Sequence, residues 1–101
     1  MRLEPYVEAE VITLDLYLFL GVNDNNQRTY VNLKGFPSRL AGEFVEYVRH
    51  NHCMIETNID FFDRRVRPEL IKIGGFDLNH VFCNFDREDP NMPQAIDPDW
   101  K

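Results

Sequence analysis

The alternation between Glu10 and Leu20 constrains this chain more than any other stretch, because every second position, Ile12, Leu14, Leu16, Leu18 and Leu20, is aliphatic. Side chains of an extended strand point to opposite faces in turn, so the pattern predicts a long β-strand with one uniformly apolar face. The intervening positions, Val11, Thr13, Asp15, Tyr17 and Phe19, are mixed but still largely apolar, which predicts packing on both faces of the sheet. Asn23, Asp24, Asn25, Asn26 and Gln27 supply turn residues, and Thr29, Val31 and Leu33 then alternate with Arg28, Tyr30, Asn32 and Lys34. The two runs read as a hairpin with a five-residue loop.

Gly35, Phe36 and Pro37 end the second strand, and Ser38 is placed to cap a helix carrying Leu40, Ala41, Phe44, Val45 and Val48 on one side. Arg39, Glu43, Glu46 and Arg49 fall on the opposite, solvent side, and the helix ends near Asn51. Cys53, Ile55, Thr57, Ile59 and Phe61 alternate with Met54, Glu56, Asn58 and Asp60, predicting a half-buried strand. Asp63 to Pro68 reads as a connection, Glu69 to Ile73 as a short strand, Gly74-Gly75 as a tight turn and His80 to Phe85 as a last strand.

The expected fold is therefore α+β: a two-layer sandwich with a mainly antiparallel sheet of about five strands, ordered ββαβββ, and one principal helix on one face. It forms a single domain over residues 1–85. Hydrophobic periodicity stops at Asp86, and residues 86–101 hold three prolines, two positive and five negative charges. This acidic tail is either disordered or a strap fixed by Met92, Ile96 and Trp100.

With 101 residues, 44% of them hydrophobic and 28% charged, the chain can bury one core without a metal or disulfide staple. The net charge of -6 repels phosphate backbones and disfavours nucleic acid as a partner; a basic protein suits it better. No run of apolar residues is long enough to span a bilayer, and the opening MRLEPYVEAEV lacks the apolar core and cleavage site of a signal peptide. A cytoplasmic location, with Cys53 and Cys83 as reduced thiols, is the expectation.

All histidines and cysteines fall in two short clusters, His50, His52 and Cys53, then His80 and Cys83. Zinc needs four converging nitrogen or sulfur donors, but an odd separation on a strand sends His80 and Cys83 to opposite faces. Buried thiols and structural or solvent-tipped histidines are the simpler reading, with no cofactor. Cys53 next to His52 has the composition of a thiol nucleophile and base, yet neighbours in an extended chain point apart. Arg64, Arg65 and Arg67 form one basic segment that could grip phosphate, but the acidic tail offers intramolecular counter-charges.

Tyr17, Phe19, Tyr30 and Phe62 are assigned to the sheet face away from the helix, a face that needs a cover: the tail, a second copy of the chain, or another protein. The chain reads as a non-catalytic protein-binding module. Inhibitors, immunity proteins, antitoxins and phage antagonists of host defence, which occlude a partner's surface, have this character. Tyr17, Tyr30 and Phe62 are the expected anchors, with Glu56, Asp60 and the tail carboxylates as a steering rim. The alternative is a small metal-binding or enzymatic domain using His50, His52, Cys53, His80 and Cys83.

Overall fold

A computed structural model describes residues 10–52 and 54–96, the last of these by its backbone alone; Cys53 and Trp100 lie outside the described residues. Strands β1 (Tyr17–Val22) and β2 (Gln27–Asn32) form the expected hairpin. Its loop is closed by Asn23, whose Oδ1 accepts the backbone N–H groups of Asn25 and Gln27, each at 2.9 Å, while Asn26 takes the left-handed conformation asparagine tolerates. Strand β3 (Phe82–Asp86) pairs antiparallel with β2, and the two-residue β4 (Ala95–Ile96) pairs parallel with β1, giving the order β3-β2-β1-β4.

The long first strand is shorter than its alternation suggests. Regular pairing begins at Tyr17; before it the chain bends, Leu14 is 68% exposed, and Glu10, Ile12 and Leu16 make separate backbone bonds to Ser38, Gly35, Phe36 and Leu33. Asp15 is held at this bend by the Asn32 side-chain amide at 3.1 Å.

Helix α1 (Ser38–His50) forms as expected and buries Leu40, Ala41, Phe44, Val45 and Val48 against the sheet. Ser38 is not its cap: Pro37 occupies that position, no side chain caps the helix, and the Ser38 N–H goes to the Glu10 carbonyl at 3.0 Å.

The main correction lies between residues 55 and 73, where two strands and a connection were expected. The chain there is helical throughout: α2 (Ile55–Phe61), a π-helical segment (Phe62–Val66) and α3 (Arg67–Ile73). The element order is thus two strands, helical segments, then two strands, with three antiparallel strands rather than five in a ββαβββ order.

The physical reason is a second periodicity. Asn58, Phe62, Val66 and Leu70 recur every fourth residue and are all fully buried. A step of four residues overshoots a turn of a 3.6-residue helix by about 40°, and the wider π turn between Phe62 and Val66 counters that drift, holding the stripe on the core. Charges obey the same spacing, with Asp60–Arg64 at 2.8 Å, Asp63–Arg67 at 3.3 Å and Arg65–Glu69 at 3.4 Å.

One irregularity locks the helical layer to the sheet. The register of β1 against β2 slips between Phe19 and Gly21, so Leu20 is an extra, unpaired residue, and Gly21 takes φ 137°, a region that favours glycine. The Leu20 carbonyl, freed from the ladder, accepts the Nδ2 amide of buried Asn58 at 2.9 Å.

Candidate functional site

The register fixes which side chains share the sheet face away from the helices. Leu18 and Val31 point into the core, so Tyr17, Phe19, Arg28 and Tyr30 occupy the outer face, joined from β3 by Cys83 and Phe85. Tyr30 is at the centre, with its ring 5.5 Å from Phe19 and 6.0 Å from Phe85. Arg28 lies over the Phe19 ring at 4.5 Å and donates Nε to the Tyr30 hydroxyl at 3.2 Å.

This face is covered. Tyr30 is only 2% exposed. Strands β3 and β4 both run parallel to β1 but at opposite edges, so residues 87–94 must travel back along the sheet and across it. That diagonal is roughly 22 Å; eight extended residues could reach about 28 Å, but the turns closed by the Asp89 N–H on the Asp86 carbonyl and the Met92 N–H on the Asp89 carbonyl shorten the segment and leave little length for a detour. Helices occupy the inner face, and the segment therefore crosses the outer one, with Met92 and Pro93 half-buried.

The expected anchors and rim do not converge. Tyr17, half-buried, and Tyr30, buried, share the outer face; Phe62 sits in the core against Phe44 and Phe82, because its segment is helical and not a strand. Glu56 and Asp60 are exposed on α2, in the helical layer, and Asp60 is taken up by Arg64.

The basic segment is neutralised, by helical neighbours rather than by the tail. Arg64 is bound to Asp60, Arg65 to Glu43 at 2.9 Å and to Glu69, and Arg67 to Asp63. The hydrogen bond that Arg64 donates to Asp60, backed by the carboxylate's charge, holds the guanidinium above its ordinary range.

Four carboxylates elsewhere in the chain lack an ion-pair partner among the described residues. Among the described residues Asp24 and Glu88 make no ion pair or side-chain hydrogen bond, while Asp86 accepts only from the Gln27 amide at 3.2 Å and Asp89 only from the Asn91 N–H at 2.9 Å. The pairing of Gln27 with Asp86 brings the end of β3 beside the β1–β2 loop, so this acidic group gathers at the hairpin end of the sheet. The nearby Arg87 donates to the side-chain Oδ1 of Asn26 at 3.5 Å.

The histidines are dispersed. His50 ends α1 with Nδ1 at 2.9 Å from the Glu46 carbonyl, His52 occupies the following turn, and His80 Nδ1 meets Asp77 Oδ2 at 2.6 Å. Among the described residues, no three His, Cys, Asp or Glu side chains converge as a metal site would need. Burial pushes the Cys83 thiol up from its ordinary value, so it stays protonated at neutral pH.

A groove of about 380 Å³, not anticipated from the sequence, runs between α1 and α3, floored by Pro37, Leu40 and Ile73 and crossed by the Glu43–Arg65–Glu69 bridge. The exposed Ile73 at the end of α3 marks it, but only once that segment is known to be helical.

No family model matches this chain, and no curated protein or solved structure matches it either. No helix among the described residues is long and apolar enough to cross a membrane.

Proposed function

We propose that this chain is a non-catalytic protein-binding module that meets a partner's basic surface with the hairpin end of its sheet. One observation carries the reading: Arg64, Arg65 and Arg67 are tied into internal ion pairs, while Asp24, Asp86, Glu88 and Asp89, exposed or half-exposed, make none among the described residues. These four carboxylates give the hairpin end a local excess of negative charge over the nearby Arg28 and Arg87. Such a field steers a basic partner into contact and raises its rate of encounter. A domain of this kind acts by occupying a basic cleft, as inhibitors and antitoxins do.

The test is charge reversal at two residues that the fold does not need. Asp24→Lys and Glu88→Lys together should leave the melting temperature unchanged and slow association with the captured partner by about tenfold or more at low salt. An association rate that is unaltered by the double reversal refutes the reading.

A further inference from the structure

We propose that two copies of this chain join through their β3 edges, pairing Phe82–Asp86 of each antiparallel about a two-fold axis at Asn84. With the outer face crossed by residues 87–94, the β3 edge is, among the described residues, the longest stretch of the sheet without a neighbouring strand. Strand β3 is terminal in the order β3-β2-β1-β4, and among the described residues its one ladder is with β2. Among the described residues, the backbone groups of Phe82 to Phe85 that point away from β2 have no partner.

Exposed edges are ordinarily protected by lysine, proline, a bulge or extreme shortness. The first four residues of β3, Phe82 to Phe85, carry no charge and no proline, with Asp86 the one charge at its end, and the strand's register with β2 is continuous over all five residues. The opposite edge, β4, is two residues long among the described residues. Self-pairing at β3 therefore consumes the longest free edge among the described residues and closes the assembly.

Charge and side-chain pattern favour a second copy as the occupant. A two-fold at Asn84 places Phe82 opposite Asp86 of the partner subunit and Cys83 opposite Phe85 of the partner subunit, so inner and outer faces continue across the junction. The acidic ends of the two strands are carried to opposite ends of the joint, and Glu88 runs toward His80 of the partner subunit. In this register no carboxylate of β3 or of the turn after it faces a carboxylate of the other copy directly, although Asp86 lies within the pairing and His80 already meets Asp77.

Sedimentation equilibrium on the full chain should give twice the monomer mass across the micromolar range. In a Cys53→Ser, Cys83→Ser background, Asn84→Cys should form an intermolecular disulfide under mild oxidation, because Cβ atoms of directly opposed residues lie about 4.5–5.5 Å apart. Asn25→Cys, in the exposed β1–β2 loop, should not. Should Asn84→Cys perturb folding through loss of the Thr29 bond to Asn84 at 2.7 Å, Cys83 alone, in a Cys53→Ser chain, should be linked by a bismaleimide spanning about 8 Å, the diagonal separation. A monomer at every concentration, a monomer that instead accepts another protein's strand, or a dimer with neither linkage overturns the proposal.

Discussion

Asn58 donates its Nδ2 amide to the Leu20 carbonyl at 2.9 Å, a bond between α2 and the one residue of β1 that the sheet ladder leaves unpaired. Both residues are fully buried, so water cannot replace either partner. Asn58→Leu should lose about 1–3 kcal/mol of stability, the penalty for stranding a buried carbonyl, whereas Asn25→Ala should stay within about 0.5 kcal/mol. Urea denaturation of the two variants measures this directly. The Asn58 Oδ1 is itself buried without a donor among the described residues, which limits how much the wild-type bond contributes net.

Phe62 and Tyr30 should behave as structural residues. Phe62→Ala removes a fully buried ring packed on Phe44 and Phe82 and should cost about 3–5 kcal/mol. Tyr30→Phe keeps the ring and loses only the Arg28 bond, at about 0.5–1.5 kcal/mol. Thermal melts rank the two; equal effects would contradict the placement of these rings.

The paired arginines should matter little to stability. Arg65→Ala deletes contacts to Glu43 and Glu69, both partly exposed, and should cost less than about 1 kcal/mol, falling further with added salt. Measured unfolding midpoints at low and high salt check the magnitude and its direction.

Asp77 provides a pH test. Its hydrogen bond from His80 holds the carboxyl below its ordinary 3.8, so the folded state binds its proton less readily than the unfolded one. Any stability from this contact is present above 3.8 and is lost as pH falls through the lower folded value. Carbon-detected titration should show the depressed value in the wild type and its return toward 3.8 in His80→Ala.

Much of the β1–β2 hairpin and of α1 was legible in the sequence, because Leu18, Leu20, Val31 and the stripe from Leu40 to Val48 each fit one period alone. The stretch from Ile55 to Ile73 fits two. Ile55, Thr57, Ile59 and Phe61 alternate like a strand, and only the fourfold spacing of Asn58, Phe62, Val66 and Leu70, with Asp60–Arg64 and Asp63–Arg67, marks the helix. That error carried Phe62 onto a surface it does not reach. Tyr17 and Tyr30 were correctly given one face by parity, but the burial of Tyr30 depends on a crossing segment from a distant part of the chain, which local pattern does not encode.

The most direct test of the proposed role is the association rate with a captured basic partner as a function of ionic strength, followed by stopped flow. The account predicts a rate that falls steeply, by about tenfold or more between low and high salt, with dissociation changing far less. A rate indifferent to salt would contradict an acidic steering surface at the hairpin end.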